Sequence, residues 1–357
     1  SVLSYRGGVS EMAISLVAVD LSKSVFQLSL ADARHRIIGR KRLNRAQFHR
    51  FLTQSAPVRL IMETCGTAHY WGRTAQLLSH EVKLLHAKYV KAYVRRTKTD
   101  AADADALILA DRDESLHPIQ VKPEERQALQ GLHRIREQWK SARTARICEA
   151  RALLAEFGVC IPKGARGIGR RLTAGAEHAP DLLQATLLDL IREIDELQQR
   201  IKSVDHRLAA YADTDCDVEV LLGIHGVGVT IATAAVARVP SIHAFKRGRS
   251  FASWLGLTCR EYSSGSTRRL GGITKQGDRY LRMLIIHGAR AALVAARRKA
   301  ANNKQLTRLE TWAVNTQMRI GHNKATVALA NKMARIMWAV WTRHERFNGD
   351  DALRFAA

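Results

Sequence analysis

Short apolar segments alternate with polar ones along the first hundred residues, and their spacing predicts a sheet. Three segments rich in β-branched residues lie a turn apart and predict antiparallel strands: ISLVAV at 14–19, VFQLSL at 25–30 and HRIIGR at 35–40. Buried strands are also predicted at VRLIM, 58–62, and VKLLH, 82–86, and helices at Ala46–Gln54, 68–80 and 100–111. Strands followed by strands that alternate with helices predict an α/β domain with a mixed sheet.

A longer apolar repeat fills the middle of the chain. Apolar residues recur there at alternating spacings of four and three, with charged residues between them: Leu183, Leu187, Leu190, Ile194, Leu197, Ile201, Val204 and Leu208. This pattern is a heptad seam. Apolar positions from Leu129 to Ala142 predict a second long helix, and PKGARGIGRR at 162–171 predicts a loop between the two. Two helices of a compact bundle are the alternative, but the length of the seam favours a coiled-coil arm that also makes subunit contacts.

The last part of the chain predicts a mostly helical domain. The segment LLGIHGVGVTIATAAVARV at 221–239 places Gly226 and Gly228 just before a helix. This is the pattern of a helix-hairpin-helix turn whose backbone N–H groups contact a phosphate, although a G-x-G pair alone more often marks a tight turn. We predict four parts: an extension at 1–11, an α/β domain at 12–123, a helical coiled-coil region at 124–212 and a mostly α domain at 213–357.

The charge of the chain points to a polyanionic partner. Its 57 Lys and Arg outnumber 33 Asp and Glu, for a formal net charge of +24 and a pI near 10.5. Nucleic acid is the expected partner of such a surface. No run of about 18 apolar residues predicts a membrane span, and the N-terminus lacks the apolar region of a signal peptide. The five cysteines include no C-x-x-C pair, so we expect a protein of the reducing cytoplasm, associated with the nucleoid.

Four acidic residues predict a metal site in this basic chain. Asp20 and Glu63 each end a predicted buried strand, where ligands gather in open α/β sheets. Asp100 and Asp103 lie three residues apart on one face of a predicted helix, whereas Asp105 points elsewhere. Mutually repelling carboxylates require a cation, and Mg²⁺, or Mn²⁺ in its place, prefers oxygen ligands and can clamp a phosphodiester.

Each acid taken alone has a structural alternative. A single Asp after a strand is usually a turn former, and Asp100 would also serve as a helix cap next to Thr99. The ordered set of a strand-end Asp, a strand-end Glu and a helical D-x-x-D in a polybasic chain favours the metal site.

A Ser- and Gly-rich segment, REYSSGSTRR at 260–269, is the second candidate site. It predicts a flexible loop that carries three hydroxyls, flanked by cations: Ser263, Ser264, Ser266, Arg260, Arg268 and Arg269. A hydroxyl near guanidinium groups and a metal ion can attack a phosphorus atom. A loop that grips phosphate without covalent chemistry is at least as consistent with these residues, and they do not decide which serine would be the nucleophile.

The motifs around both candidate sites resemble a known family. VDLSKS around Asp20, METCGTAHYW around Glu63 and RRTKTDAADA around Asp100 and Asp103 resemble the RuvC-like domain of the DEDD insertion-sequence transposases, relatives of the pilin-gene inverting recombinase Piv. GLTCREYSSGSTRRLGGITKQGDRYLR at 256–282 resembles the second, transposase domain of that family. The likeness covers nearly the whole chain, in the same order.

The resemblance implies a fold, a chemistry and partners. It implies an RNase H/RuvC-like N-terminal domain whose Asp20, Glu63, Asp100 and Asp103 hold Mg²⁺, and a second domain that supplies a serine nucleophile. The family's Tyr-x-Ser-Gly pattern falls on Tyr262–Gly265, which places the nucleophile at Ser264. A 5′-phosphoserine link, a noncoding guide RNA from the same element, donor and target DNA, and a dimer of dimers are implied with it. Nucleic-acid contacts are expected at Arg95, Arg96, Lys98, Gly226, Gly228, Arg260, Arg268, Arg269 and Lys275.

Two rival functions remain at this level. A metal-dependent nuclease, such as a Holliday junction resolvase, would use water as the nucleophile and the serine segment only to hold phosphate. A non-catalytic nucleic-acid scaffold would require the four acids to be dispersed in space.

Overall fold

A computed structural model describes residues 13–94, 99–164 and 167–348. The chain divides into two compact units, Ser1–Glu124 and Glu125–Ala357. The first is a mixed α/β unit and the second is largely helical, as the apolar pattern predicted. The predicted boundary at 123/124 lies beside this division, and the one at 212/213 falls inside the second unit. The predicted extension at 1–11 and the cations Arg95, Arg96 and Lys98 lie outside the described residues.

A five-stranded mixed sheet forms the centre of the first unit. The strands are β1 Leu16–Asp20, β2 Val25–Ala31, β3 Ile37–Asn44, β4 Arg59–Glu63 and β5 Glu81–Leu85. Their order across the sheet is β3-β2-β1-β4-β5. The pairs β1/β2 and β2/β3 are antiparallel, and β1/β4 and β4/β5 are parallel. Each predicted strand is present within a few residues of its predicted bounds.

Helices cover both faces of this sheet, and the alternation of side chains along each strand explains why. The helices of this unit are α1 Arg45–Gln54, α2 Ala68–Leu77, α3 Ala87–Val90 and α4 Asp100–Asp111. Val17 and Val19 of β1 share a core with Phe48 of α1 and Trp71 of α2. The other face of the same strand, through Leu16 and Ala18, packs on α4. Successive side chains of a strand point to opposite faces, so a strand buried on both reads as a continuous apolar run.

The second unit opens with a pair of long helices. The helices that precede the turn at Gly226 and Gly228, called here the glycine turn, are α5 Glu124–Glu156, α6 Ile168–Ala176, α7 Asp181–Ala212 and α8 Cys216–Leu222. The heptad seam lies on α7. Near the start of α7 it packs against α5 and α6, and near the end it meets Leu129 of α5 and Ala237. The apolar seam therefore packs within the chain, and the subunit contact expected of the arm stays a prediction.

Polar contacts fix the alignment of α5 against α7. Arg136 Nε donates to Asp205 Oδ1 at 2.5 Å, and Arg146 Nε donates to Glu193 Oε2 at 2.8 Å. Of these two pairs, the one with the higher residue number on α5 has the lower residue number on α7, so the two helices run antiparallel. The predicted loop at 162–171 is shorter than expected, because α6 begins at Ile168 and buries Ile168 and Leu172 in the core between the long helices.

The remaining helices share one large core. They are α9 Val229–Arg238, α10 Gly248–Trp254, α11 Arg279–Ala301, α12 Arg308–Ile320 and α13 His322–Arg343. Apolar residues of α8 to α13 belong to a single cluster, including Ile336, Met337 and Trp341 of the last helix. None of the helices in the described part of the chain combines the length and apolar character of a membrane span.

A short β-hairpin interrupts these helices at the serine segment. It pairs β6, Cys259–Glu261, with β7, Leu270–Ile273, in antiparallel fashion. The segment was predicted to be a loop throughout, and the structure pairs its two ends while it leaves the Ser and Gly residues in the turn. The Gly and Ser content that suggested flexibility is concentrated in the turn, whereas Tyr262 N donates to Arg269 O at 2.9 Å and extends the backbone pairing beyond the strands.

Candidate active site

Two of the predicted acids lie at the same edge of the sheet. Asp20 is the last residue of β1, and Glu63 is the last residue of β4. The two strands are parallel neighbours, with Val19 opposite Met62, so both carboxylates leave the sheet at the same end. Both residues are half-buried. This is the strand-end position at which open α/β sheets bind ligands.

The first turn of α4 carries the other two acids. Thr99 caps this helix, its hydroxyl accepting from Ala102 N at 3.2 Å, so the alternative role of Asp100 as the cap is excluded. The helix is held against β1 by Ala106 and Leu107, which lie in the core beneath that strand.

Electrostatic repulsion connects all four carboxylates. Burial raises the pKa of Asp20 from 3.8 to about 6, and the negative charges of Asp103, Asp100 and Glu63 contribute in that order. The pKa of Glu63 is raised by burial and by Asp103, against an opposing effect of His86. A carboxyl whose neighbours penalise its charge is typical of a cation site. The requirement of the scaffold alternative, that these acids be dispersed, is not met.

Asp105 shows that proximity in sequence does not place an acid in this cluster. It accepts a hydrogen bond from Ser29 Oγ at 2.6 Å and forms an ion pair with Arg40 Nη2 at 2.7 Å. Its partners lie on β2 and β3, as expected from its different position around α4. The negative charge of Asp105 is therefore satisfied by the fold.

The donor set of the cluster fits a hard divalent cation. Its four members offer only carboxylate oxygens, the ligands that Mg²⁺ and Mn²⁺ prefer. Among the described residues, no three of the four acids bring their donor atoms within 4.8 Å of one another. Mutual repulsion favours this wider spacing. The acids are thus close enough to repel, and a cation would relieve the repulsion.

The two neighbouring serines of the hairpin differ in the hydrogen bonding of their hydroxyls. Ser263 Oγ donates to Glu261 Oε1 at 2.7 Å and accepts from Arg269 N at 3.1 Å, so this hydroxyl is part of the hairpin. Ser264 pairs with Thr267 through its backbone only. Among the described residues, no group hydrogen-bonds to Ser264 Oγ, and the residue is exposed.

The hairpin turn requires the glycine that follows Ser264. Gly265 has a φ of 55°, in the left-handed region, and occupies the first central position of the turn. Hairpin turns of type II′ favour glycine at that position because a Cβ is strained there. The turn therefore presents Ser264 at the exposed end of two paired strands.

The base of the hairpin is fixed by a buried arginine that sequence reasoning missed. Arg282, 9% exposed, donates from Nη1 to Leu255 O at 2.9 Å and to Gln276 O at 3.0 Å. Gly256 and Gly277, both at positive φ, bring these two chain segments so close that a Cβ on either would overlap the opposing backbone. The sequence signal was weak, because Arg282 looks like one more cation of a basic helix.

Cations surround the hairpin on the exposed side. Arg268 Nε lies 3.5 Å from Glu261 Oε1, and Arg260 Nη2 donates to Thr274 O at 3.3 Å. Arg269 and Lys275 are also exposed, and Lys275 has a φ of 56°. These contacts leave the cations at the surface.

The predicted helix-hairpin-helix turn joins α8 to α9, and its two glycines have different roles. Gly226 has a φ of 89° and packs against α11, where an added Cβ would lie 2.7 Å from Gly288 O. Gly228 is exposed, precedes α9 as its N-cap, and has no atom within 4 Å of an added Cβ among the described residues. The first glycine is explained by packing, and the second leaves the backbone N–H groups of α9 open to a ligand.

Comparison with known proteins identifies the class. A sequence model of a DEDD transposase domain of the IS110 type, described as a transposase, matches residues 17–158. A second, described as the transposase IS116/IS110/IS902 family, matches residues 218–305. The chain is therefore a transposase, and the two matches include the acid cluster and the serine hairpin.

Similarity to individual proteins extends over almost the whole chain. A probable family 20 transposase of Pseudomonas aeruginosa is 40% identical over 93% of this chain and 98% of its own length. The transposase of element IS1111A from Coxiella burnetii is 35% identical over 94% and 91%, and that of element IS1328 from Yersinia enterocolitica is 32% identical over 94% and 99%. The chain belongs to the IS116/IS110/IS902 family of insertion-sequence transposases.

Proposed function

We propose that this transposase is an RNA-guided DNA recombinase in which Ser264 attacks DNA and the four acids bind Mg²⁺. The observation that carries the proposal is the repulsion of Asp20 by three other carboxylates, in a chain whose net charge is +24. A basic protein that concentrates negative charge at one sheet edge needs that charge for a cation there.

The proposal includes an RNase H/RuvC-like fold for the first unit. The sheet order β3-β2-β1-β4-β5, with antiparallel β1 to β3 and parallel β1, β4 and β5, supports it. The acids at the ends of β1 and β4 and on α4 support it as well. We also propose the divisions predicted from sequence, with a helical region at 124–212 and a serine-containing domain at 213–357.

Asp20, Glu63, Asp100 and Asp103 would hold the ion, Mg²⁺ or Mn²⁺. When bound, such an ion supplies Lewis-acid stabilisation of negative charge on a phosphodiester and its leaving oxygen. The half-buried carboxylates of Asp20 and Glu63 would bind more tightly than exposed ones, because fewer water molecules compete with them.

Ser264 would carry the covalent step. Its oxygen forms a bond to phosphorus while the bond from phosphorus to the 3′-oxygen breaks; the serine hydroxyl loses one proton and the leaving 3′-oxygen gains one. The 5′-phosphoserine preserves the energy of the bond, and a 3′-hydroxyl of another strand then attacks it and releases Ser264. The reaction needs neither water nor ATP. The unengaged hydroxyl of Ser264, next to the engaged hydroxyl of Ser263, supports this choice.

Nucleic acid would be held through its backbone. We assign Arg260, Arg268, Arg269 and Lys275 to phosphates near the hairpin, and the open N-terminus of α9 at Gly228 to another phosphate. Arg95, Arg96 and Lys98, which precede α4 in sequence, would also contact nucleic acid.

Sequence choice would come from pairing between a noncoding guide RNA of the same element and donor and target DNA, so the protein need grip only backbone and shape. By resemblance to the family, a site built from two subunits implies a dimer of dimers acting on nucleoid DNA in the cytoplasm.

A covalent-adduct assay tests the serine. Purified protein is incubated with guide RNA, Mg²⁺ and DNA labelled on the 5′ side and on the 3′ side of the cut in separate reactions, then denatured and run on a gel. The wild type should retain the label of the 5′-phosphate fragment, and Ser264→Ala should lose the adduct and all strand exchange. Ser263→Ala, the matched control, should retain the adduct. Cleavage by Ser264→Ala without an adduct would instead support the hydrolytic nuclease.

The guide RNA is tested separately. The protein is expressed with its native flanking DNA and purified at moderate salt, and the bound nucleic acid is sequenced. One structured RNA that maps beside the gene is the expected result. Heterogeneous fragments would contradict the proposal of a guide RNA. They would not bear on the serine chemistry, which the adduct assay tests by itself.

A further inference from the structure

Three side chains of metal-binding type meet in the second unit. Cys216 and Asp217 are the first residues of α8, and His344 directly follows α13. Their donor atoms all lie within 4.8 Å of one another. His344 Nε2 lies 3.3 Å from Asp217 Oδ1. His344 lies far in sequence from the adjacent pair Cys216 and Asp217, and the three form no motif, so sequence reasoning did not find the set.

The mixed donor set selects a different metal from that of the acid cluster. A thiolate, an imidazole and a carboxylate suit Zn²⁺, whereas Mg²⁺ prefers oxygen ligands alone. Tetrahedral Zn²⁺ with bonds of about 2.0–2.3 Å holds its ligands about 3.3–3.8 Å apart. The separation of His344 and Asp217 already has this value.

Neighbouring groups orient the carboxylate of Asp217. Arg126 Nη2 contacts Asp217 Oδ2 at 3.2 Å, which leaves Oδ1 on the side of His344. Arg126 also pairs with Asp215 at 3.0 Å, and Asp215 caps α8 through a bond from Val218 N at 3.0 Å. Metal-binding carboxylates are commonly fixed in this way by an outer hydrogen-bond partner.

The fold also brings His344 to this position. It adopts a φ of 51°, in the left-handed region, where it caps the end of α13. Helix α8 packs against α13. Cys216 and His344 are exposed, so a metal ion can enter and a water molecule can complete its coordination.

We propose that Cys216, Asp217 and His344 bind one Zn²⁺ ion, with water as the fourth ligand, and that this ion fastens the end of α13 to the start of α8. Binding converts the Cys216 thiol to a thiolate and releases its proton. Because α8 leads into the glycine turn before α9, the ion would stiffen the support of that turn. The competing explanation is an ion pair of His344 with Asp217, which has no need of Cys216.

Cobalt provides the test, because Co²⁺ replaces Zn²⁺ and a bound thiolate gives it a near-ultraviolet charge-transfer band. Full-length protein is stripped with EDTA, exchanged into metal-free buffer containing excess Mg²⁺, and titrated with Co²⁺. We expect the charge-transfer band and the visible bands of tetrahedral Co²⁺ to saturate at one equivalent and to disappear when Zn²⁺ is added.

Variants assign the bands to the site. Cys216→Ser should lose the charge-transfer band, and His344→Ala should weaken Co²⁺ binding at least tenfold, by analogy with outer-partner losses of about 10–100-fold. Cys160→Ser, another exposed thiol, should leave the band unchanged, and so should Asp20→Asn in the acid cluster. Far-UV circular dichroism of each variant establishes that it is folded.

Hydrogen exchange provides an independent readout. Zn²⁺ should slow exchange at the end of α13 in the wild type and in Cys160→Ser, and have no such effect in Cys216→Ser. The proposal is overturned by the absence of a charge-transfer band at one equivalent, by its persistence in Cys216→Ser, or by unchanged Co²⁺ affinity in His344→Ala. Any of these results would leave His344 and Asp217 as an ion pair.

Discussion

Removing the charge of Asp20 should stabilise the first unit in the absence of divalent ions. Burial and three neighbouring carboxylates raise the pKa of this carboxyl to about 6, from 3.8. Between about pH 4 and pH 6 the folded state therefore binds a proton that the unfolded state has lost, so stability falls as pH rises through this window. Above pH 6 the full penalty of the ionised carboxylate is present. The asparagine of Asp20→Asn cannot ionise, so the variant avoids this penalty.

The size of the effect follows from the pKa. A rise from 3.8 to about 6 corresponds to about 3 kcal/mol for a fully buried group. Asp20 is only half-buried, and solvent screening reduces the expected gain to about 1 kcal/mol. For a unit of this size, that gain raises the melting temperature by about 4 °C.

Scanning calorimetry in EDTA at pH 7.5 and pH 4 measures this effect. Asp20→Asn should melt about 4 °C above the wild type at pH 7.5 and level with it at pH 4. Asp105→Asn, an acid of α4 that lies outside the cluster, is the matched control. It breaks the contacts with Ser29 and Arg40 without relieving the repulsion, so it should melt below the wild type.

Added Mg²⁺ should remove most of the stability advantage of Asp20→Asn over the wild type. Free Mg²⁺ at ten times its dissociation constant stabilises the wild type by about 1.4 kcal/mol, and Asp20→Asn, which lacks one ligand, should gain less. Asp105→Asn should respond as the wild type does. An Asp20→Asn protein no more stable than the wild type in EDTA at pH 7.5 would refute the repulsion, and an equal response to Mg²⁺ would refute the metal site.

Two further predictions concern the second unit. Gly226→Ala should lower the free energy of unfolding by about 3 kcal/mol, because the left-handed backbone disfavours a Cβ and Gly288 O lies in its path. The exposed Gly228→Ala should lower it by only about 0.5 kcal/mol. Urea unfolding compares the two variants, and equal losses would contradict the packing role of Gly226. Burial lowers the pKa of His133 to about 4, so stability should fall as pH drops from about 6.5 to 4. His133→Gln should flatten this slope in urea titrations at pH 7 and pH 5, and an unchanged slope would assign it to other groups.

The elements of the first unit were predictable because their sequence signals are local. Each strand is a short apolar run between turns, and α4 begins after Thr99, a residue that favours caps. Each of the two acids was predicted at the end of a buried strand, and the parallel pairing of β1 and β4 places both at one edge. That Asp105 lies elsewhere followed from its angle around the helix. Local periodicity carried all of these inferences.

Features of the second unit were missed where contacts distant in sequence decide the structure. The serine hairpin depends on Arg282 and on the close approach of Gly256 and Gly277, and composition alone made the segment look flexible. The heptad seam was recognised, but a seam does not specify its partner. In this chain residues of α5, α6 and α9 pack against it.

The two candidate sites meet opposite physical requirements. Asp20 and Glu63 are half-buried at the ends of packed strands, which keeps the repulsion on Asp20 in place at a cost in stability that a bound cation would relieve. Ser264 instead lies on an exposed turn with an unengaged hydroxyl, on a hairpin whose base Arg282 fixes. A cation site needs fixed ligands, whereas a nucleophile must reach a phosphorus atom on a large substrate. This difference fits the proposed serine-dependent, metal-assisted strand exchange, whereas in a water-using nuclease the exposed serine would only hold phosphate.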